Sequence, residues 1–456
     1  MALFVDHRNP YRPKLPDVLR LAPEDFEFAI SAENEEAIGR SAEWSVMAYL
    51  AADCDLAAFM FDDLMEMNSV ASDASMHVCA LFDGPLVTDA FFARLTGGAA
   101  LRDDFLLRWP ELRTNSPATL ENALTLHGYF PGKRRVLFLG GHGNGWRGML
   151  IDENLGLAQR VEKTETAAQC DARTMRCLEA AQACLDRRLQ AAPAPANARW
   201  DVLAIDACEM GNIETIGFLA RQADILVVSE DLVPGDGYPY DRVLRDLRAN
   251  LAQSPVDFAR NLVGAAQAHY RGTGRGGRAI TQVALKADGL PAFADALMRL
   301  AQSLAGAMAE ETVFRAVDYA IHMARRFRET DSIDLVGFVG RLLEHPLPDA
   351  IRGRCAAVLE AWASMVIASA VPGTLDTANG LAIYAPLADG EFDPAYVELS
   401  NGLELGLGIW PWFLASYYQR ALGDRAEKNA LVATMRATMQ DAVERGVYRP
   451  GQGQAS

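Results

Sequence analysis

One histidine and one cysteine stand out in the sequence because each follows an apolar run and enters a short turn. His142 lies in the glycine-rich stretch GGHGNGW, directly after the apolar residues 135–140. Cys208 follows the apolar residues 201–205, with two residues between. A cysteine hydrolase needs a thiol that becomes a thiolate and a nearby group that moves protons. A cysteine and a histidine in these positions predict that chemistry.

Backbone amides near the pair are candidate donors to the oxyanion that forms during attack. Gly143 and Gly145 have no side chain that would hold a substrate away from the backbone. The amides of Gly143 and Cys208 are therefore the expected oxyanion donors. A helical pattern resumes from Gly211, so we expect helix amides and the helix dipole to favour the Cys208 thiolate. A packed cysteine and a simple glycine turn are the alternative explanations.

The apolar runs that carry these residues belong to a series of predicted strands that alternate with helical patterns. The predicted strands are 44–51, 76–83, 135–140, 201–205 and 225–229. This alternation indicates an α/β domain around a mostly parallel sheet flanked by helices. Chemistry in such sheets gathers beyond the carboxyl ends of the strands. Because His142, Cys208 and Asp231 each follow a strand end, we expect all three at one edge of the sheet.

The chain divides into three predicted parts. Residues 1–43 carry prolines and an acidic patch and form an N-terminal extension, and residues 44–275 form the α/β catalytic domain. Residues 276–456 are expected to be mainly helical and to pack on the catalytic domain. Their helical patterns cover 290–304, 311–327 and 349–369, with one late strand at 380–384.

Composition limits the partners and the location of the chain. Its 60 acidic and 43 basic residues give a formal charge of −17, which repels nucleic acid. No stretch approaches the roughly 20 apolar residues that span a bilayer, and no secretory signal is visible, so no membrane partner is expected. Seven cysteines at irregular spacing favour a reducing compartment. We therefore expect a cytoplasmic protein, whose oligomeric state the sequence leaves open.

Five segments of the sequence together resemble the clostripain family of cysteine peptidases, within the caspase-like superfamily. They are WSVMAYLAADCDL (44–56), GHGNGWRG (141–148), IDACEMGNIE (205–214), SEDLVPGDGYPY (229–240) and NGLAIYAP (379–386). The segments occur in the family's order over about 340 residues. The resemblance implies a caspase-like fold and a catalytic dyad, in which Cys208 is the nucleophile and His142 protonates the leaving amine.

The resemblance also implies cleavage after arginine or lysine. The family carries an acidic residue of the specificity pocket two positions before the nucleophile, and Asp206 stands there. A buried carboxylate suits this role because it forms short, charge-assisted bonds with a guanidinium. The alternative role of Asp206 is to cap a helix or fix a loop. Asp231 is a second pocket candidate, with capping of the 231–240 loop as its alternative.

Self-cleavage and calcium are two further implications of the resemblance. Several family members cut themselves after the catalytic histidine, and here the 152–200 segment offers Arg160 and Lys163. These two precede a helical pattern from 165, and ordered helices resist proteolysis. Some members depend on calcium. Asp152 and Glu153 supply oxygen atoms, but no loop shows regular calcium-ligand spacing, so no metal site is predicted.

The sequence therefore predicts an endopeptidase that cleaves peptides or proteins after basic residues through a thioester intermediate. One alternative is a catalytically silent caspase-like module that only binds a partner. Another is a transpeptidase or amidase that uses the same dyad, because the sequence does not distinguish water from an amine as acceptor.

Overall fold

The computed structural model describes residues 30–85, 89–97, 101–109, 112–150, 199–272, 280–327, 330–371, 378–388, 390–434 and 437. These residues form two compact units. The first unit takes the residues up to Met210, Arg221–Leu285 and Ile367–Ala370. The second takes Gly211–Ala220, Lys286–Val366 and the residues from Val371. The units alternate along the chain, and the three-part division predicted from the sequence stays a prediction.

Helices and strands alternate through most of the described chain. The helices are α1 (Ala32–Ala37), α2 (Ala57–Val70), α3 (Pro117–His127), α4 (Ile213–Leu219), α5 (Tyr240–Ala249), α6 (Pro255–Gly272), α7 (Leu290–Gly306), α8 (Glu311–Met323), α9 (Leu335–Leu342), α10 (Asp349–Met365), α11 (Ala395–Gly402) and α12 (Ile409–Leu422). The strands are β1 (Ala42–Ala51), β2 (Met76–Asp83), β3 (Ala90–Arg94), β4 (Phe105–Trp109), β5 (Gly132–Gly140), β6 (Trp200–Asp206), β7 (Ala223–Ser229), β8 (Gln282–Lys286), β9 (Arg326–Phe327), β10 (Ser332–Asp334), β11 (Val366–Ser369) and β12 (Ala382–Tyr384).

A nine-stranded sheet in the order β11-β8-β7-β6-β5-β1-β2-β3-β4 forms the centre of the first unit. Strands β2, β1, β5, β6 and β7 are parallel, whereas β3 and β4 extend the sheet antiparallel. Strand β1 is buried along nearly its whole length, as expected where both faces of a parallel sheet are covered. The predicted fold class, a mostly parallel central sheet flanked by helices with a mainly helical C-terminal part, is confirmed.

The main core of the first unit lies between the sheet and the helices α2, α5 and α6. Alternate residues of β1, from Trp44 to Leu50, belong to this core because successive strand side chains point to opposite faces. Helix α2 contributes Met60, Leu64 and Met67 from one face. This packing fixes α2 over the sheet, and its first turns follow the end of β1 after a short loop. Part of α2 is thereby available to a site at the carboxyl ends of the strands.

The second unit contains α4, α7–α12 and a small antiparallel sheet in the order β12-β10-β9. Two predicted helices end earlier than expected. The pattern at 311–327 stops at Met323 before β9, and the pattern at 349–369 stops at Met365 before β11. Residues 366 and 367 are valine and isoleucine, whose branched side chains favour a strand, and β11 pairs beside β8 in the large sheet. Within the described ranges no helix has the length and apolar character that crossing a bilayer requires.

Candidate active site

The two candidate catalytic residues follow adjacent parallel strands at the same distance from their ends. Gly140, the last residue of β5, is the register partner of Asp206, the last residue of β6. His142 lies two residues beyond the first and Cys208 two residues beyond the second. Because parallel strands end at the same edge of a sheet, this register places the two turns side by side.

The turns of the histidine and the cysteine touch at Gly143. A Cβ atom at this position would overlap the carbonyl oxygen of Cys208, so only glycine fits. The histidine turn is held by backbone hydrogen bonds from Asn144 N–H to Gly148 O and from Leu150 N–H to His142 O, both 2.9 Å. Gly143 lies between these bonds, and in such a pair the central residue directs its own N–H away from the partner strand. This amide therefore remains outside the ladder.

The sulfur of Cys208 receives a backbone hydrogen bond from a neighbouring loop. The Val233 N–H lies 3.3 Å from Cys208 Sγ, a contact that stabilises a thiolate more than a thiol. Glu209, the next residue, has a φ of 56°, an uncommon conformation for a residue with a side chain. Helix α4 begins at Ile213 with Asn212 as its cap. The helix thus begins two residues after the position predicted for it, and its influence on the Cys208 thiolate stays a prediction.

His142 has a carboxylate partner that the sequence reasoning missed. Asp55 lies in the loop between β1 and α2, and its Oδ1 is hydrogen-bonded to His142 Nε2 at 2.6 Å. The two side chains are 39% and 30% exposed, so both remain within reach of a substrate. A carboxylate on Nε2 leaves Nδ1 as the nitrogen that can exchange a proton elsewhere. The sequence signal for Asp55 was weak, because an exposed loop aspartate is common.

A cavity of about 90 Å³ opens beside both turns. It is lined by Leu56, Met60, Asp63, Gly140, Gly141, His142, Asp206, Ala207, Cys208, Val233, Pro234, Gly235 and Gly237. The structure thus brings together three of the residues that the sequence singled out, His142, Cys208 and Asp206. Their catalytic and binding roles stay predictions. We call this cavity the pocket below.

Asp206 is held by two hydrogen bonds inside the pocket. Its Oδ2 accepts the hydroxyl of Tyr240 at 2.9 Å and the N–H of Tyr238 at 3.1 Å. Burial raises the pKa of the Asp206 carboxyl to about 6, and these two bonds oppose the rise. A carboxylate kept partly desolvated in this way is suited to a cationic partner.

A second carboxyl group lines the same pocket. Asp63 lies on α2 in line with Leu56 and Met60, at the spacing of one helix face. Burial raises the pKa of Asp63 well above its usual range, and the negative charge of Asp206 adds to the rise. This alignment is the only sequence signal for Asp63, and it is easily overlooked because a polar residue on a helix is normally exposed.

Asp231 is the other residue that the sequence proposes for substrate binding. Asp231 is not among the residues that line the pocket, and its Oδ1 accepts the N–H of Leu232 at 2.8 Å. Its role in substrate binding stays a prediction, as does the alternative that it caps the 231–240 loop. Arg160 and Lys163 fall outside the described residues, as do the two acidic residues considered for calcium.

Among the described residues, one group of three potential metal ligands comes together: Cys54, Asp55 and His142. Calcium takes six to eight oxygen ligands, so a set of one sulfur, one nitrogen and one carboxylate does not fit it. Asp55 and His142 are in addition hydrogen-bonded to each other. No step of the chemistry below uses a metal, and the calcium requirement remains a prediction.

Parallel strands that deliver a histidine and a cysteine to one sheet edge, with a carboxylate-lined pocket beside them, define a caspase-like cysteine peptidase. The profile of the clostripain family, Peptidase C11, matches residues 48–345. The chain belongs to the clostripain family of cysteine proteases, a family that implies peptide or protein substrates.

Two solved structures share the fold. One is a secreted C11 cysteine protease from Bacteroides thetaiotaomicron in complex with an irreversible peptide inhibitor, at 18% identity and a TM-score of 0.53 over 80% of this chain and 98% of that chain. The other is an inactive zymogen C11 protease from Parabacteroides distasonis, at 16% identity and a TM-score of 0.50 over 82% of this chain and 99% of that chain. A search of curated proteins found no match.

Proposed function

We propose that this chain is an endopeptidase that hydrolyses peptide bonds after arginine or lysine, with Cys208 as nucleophile and His142 as proton donor. The observation that carries the proposal is the pocket in which His142, Cys208 and Asp206 meet. A nucleophile, a proton carrier and a carboxylate are the parts that cleavage beside a basic residue requires.

The reaction follows from these positions. The Cys208 thiolate attacks the carbonyl carbon, and the Gly143 N–H, which the histidine turn leaves unused, is a donor to the oxyanion together with the Cys208 N–H. His142 gives a proton to the nitrogen of the breaking bond, and the amine leaves. Water then attacks the thioester, gives one proton to His142 and releases the acid and the thiolate. These steps restore the Cys208 thiolate and the protonated His142, so the next cycle needs no other reactant.

Asp55 assists through the histidine rather than through the substrate. Its carboxylate fixes the orientation of the imidazole by a 2.6 Å contact with Nε2. Asp55 therefore adds a positioning residue to the predicted dyad. In structural terms the arrangement resembles the carboxylate–histidine–nucleophile series of other hydrolases.

Purified protein assayed on short fluorogenic peptides tests the proposal. The peptides differ only in the residue before the scissile bond: arginine, lysine, citrulline, asparagine or aspartate. We expect turnover of the arginine and lysine peptides, with losses of about 10³-fold or more in Cys208→Ala and His142→Ala. No turnover of any peptide by folded protein would support the silent module. Cleavage after aspartate or asparagine would reject the basic specificity but leave the dyad in place.

The same assay separates hydrolysis from transfer. Added hydroxylamine or an amino-acid amide competes with water for the thioester. Product that forms mainly as the amide, at amine concentrations far below that of water, would identify a transpeptidase. Release of the free acid as the main product supports the peptidase.

Self-cleavage in the 152–200 segment, at Arg160 or Lys163, is part of the proposal. A solved relative is described as an inactive zymogen, which supports a maturation step. We expect wild-type protein to convert to two chains and Cys208→Ala to stay whole. Wild-type protein that remains intact while it is active would exclude the step.

Calcium and location need separate measurements. Activity that survives chelation by EGTA would remove the calcium requirement. The cytoplasm remains our proposal for location, although one structural relative is described as secreted. Fractionation of the native cells decides between them.

A further inference from the structure

The pocket contains a carboxyl group that the proposed reaction does not yet use. Asp63 is only 6% exposed, and its surroundings on α2 are those of a core residue. Met60 and Leu56, one and two turns earlier, line the pocket with it. Packing of α2 on the sheet fixes this face, so Asp63 is held toward the pocket rather than toward bulk solvent.

The carboxyl groups of Asp63 and Asp206 approach each other in the space beside Gly237 that a side chain would occupy. A Cβ atom at Gly237 would lie 2.6 Å from Oδ2 of Asp206 and 3.1 Å from Oδ2 of Asp63. The φ of Gly237 is 56°, which glycine adopts without strain. Because glycine has no side chain, the two carboxyl groups can both lie beside this residue in the pocket.

The two carboxyl groups differ in how they are satisfied. Both hydrogen bonds of Asp206 end on Oδ2, which leaves Oδ1 for a ligand. In the part of the chain that the structure describes, no N–H or O–H group is hydrogen-bonded to the carboxyl of Asp63. Two buried acidic groups without a positive partner are unfavourable when both are charged.

The charges around Asp63 in the described residues are mainly negative. The described residues that line the pocket include no lysine or arginine. The charged and titratable groups that act on Asp63, or are acted on by it, are Asp62 and Glu66 on α2, Asp206 at the end of β6, Asp236 in the loop before α5, Tyr240 at the start of α5 and Tyr270 on α6. Each carboxylate among them raises the pKa of Asp63 further after burial has raised it. A cation from outside would offset this repulsion.

We propose that Asp63 is a second specificity-determining residue, which together with Asp206 binds the guanidinium of a substrate arginine. The inference rests on the proposed function, because it assigns another residue to the same pocket. A guanidinium presents five N–H donors in a plane and can contact two carboxyl groups at once. A lysine ammonium is a single point charge and pairs well with one of them. The pocket therefore prefers arginine to lysine.

Binding also moves a proton. In the empty pocket the pair Asp63 and Asp206 shares one proton, because two neighbouring buried carboxyls do not both ionise. Entry of a guanidinium, which keeps its own charge, makes the second ionisation favourable. One proton then leaves Asp63 for the solvent, and both carboxylates face the cation.

Kinetics with matched variants test the assignment. Asp63→Asn keeps the shape of the protonated carboxyl, and the exposed neighbour Asp62→Asn removes the same formal charge outside the pocket. For Asp63→Asn we expect kcat/KM on the arginine peptide to fall about 10- to 100-fold, mainly through KM, as for loss of a hydrogen bond to a charged group. The lysine peptide should lose less, the citrulline peptide should not change, and Asp62→Asn should stay within about twofold on all three.

A purely structural role would give a different pattern. It would lower activity on the arginine, lysine and citrulline peptides by the same factor. An unchanged ratio of arginine to citrulline cleavage in Asp63→Asn therefore overturns the assignment. If Asp63→Asn fails to fold, Asp63→Glu provides a second test. This variant keeps the carboxyl group and should therefore keep the preference for arginine over citrulline.

A binding experiment separates this inference from the peptidase proposal. Cys208→Ala protein is titrated with a short peptide that ends in argininamide, by calorimetry in two buffers of different ionisation enthalpy at pH 7. We expect peptide binding to release close to one proton from Cys208→Ala protein. The double variant that also carries Asp63→Asn should release none, and the one that also carries Asp62→Asn should release as much as Cys208→Ala. Argininamide binding with this proton release, but without turnover by wild-type protein, would keep the pocket and reject the peptidase. Turnover after arginine with no proton release would reject the role of Asp63 alone.

Discussion

We expect the Asp206 carboxylate to destabilise the folded protein when no substrate is bound. Burial raises the pKa of its carboxyl from 3.8 to about 6. The native state therefore binds the proton more tightly than the unfolded state, and stability falls as the pH rises from about 4 to about 6. At 1.36 kcal/mol per pKa unit, the cost at pH 8 is at most about 3 kcal/mol, because some exposure to pocket water reduces it.

Replacement of Asp206 by asparagine should remove this cost. Both hydrogen bonds end on one oxygen, Oδ2, so an amide oxygen in its place can accept from Tyr240 and Tyr238 as before. We expect Asp206→Asn to be more stable than its parent by up to about 3 kcal/mol at pH 8. At pH 4.5 the cost is only about 1 kcal/mol, so the gain should shrink by about 2 kcal/mol.

Urea unfolding of both proteins at the two pH values measures this difference. Both carry Cys208→Ala so that no self-digestion occurs, and tryptophan fluorescence reports unfolding. The chain has two compact units, so the informative quantity is the change between variants and between pH values rather than one absolute free energy. Asp62→Asn, an exposed site, is the control. An Asp206→Asn variant that is less stable at pH 8, or equally shifted at both pH values, refutes the reasoning.

Three further substitutions test other parts of the site. Asp55→Ala should lower kcat about 10-fold with little change in KM, because His142 loses its orienting partner; a loss that falls on KM and leaves kcat unchanged would contradict this role. Gly143→Ala should abolish turnover while the arginine side chain still binds, since the added methyl overlaps the carbonyl of the nucleophile; normal kcat would show that the turns can separate. Tyr240→Phe should move the acidic limb of kcat/KM for the arginine peptide to higher pH, because its hydroxyl lowers the pKa of Asp206; a shift to lower pH would contradict that.

The sequence alone predicted that the histidine and the cysteine lie close together, because the carboxyl ends of parallel strands lie at the same edge of a sheet. An apolar run of five or six residues indicates a buried parallel strand, and such strands end at one edge. His142 and Cys208 both stand two residues beyond partners in the register of β5 and β6. Strands β3, β4, β8 and β11 of the large sheet were not predicted, since short strands carry too few residues for a clear period and β11 continues directly from a helix.

Asp55 and Asp63 were missed for a different reason. Neither occupies a strand end, and each becomes relevant only through a contact with a residue more than 80 positions away in the sequence: His142 for Asp55 and Asp206 for Asp63. Single-sequence patterns report local periodicity and do not report which helix face meets which strand end. The spacing from Leu56 to Asp63 identifies a common face, but only the packed structure shows that this face meets a pocket.

The origin of each group also predicts how the site responds to substitution. The residues of the reaction are placed by backbone: a register pair, a glycine contact and a hydrogen-bonded turn, none of which needs a buried charge. The residues of specificity are carboxyl groups that helix packing has taken out of water, at a cost in stability that only a cationic substrate offsets. Loss of Asp63 or Asp206 should therefore stabilise the free protein while weakening its binding of arginine. Loss of the Cys208 side chain should abolish turnover with little effect on stability. Cys208 contributes nothing to the raised pKa values of Asp63 and Asp206, so its loss does not change their cost to the folded state.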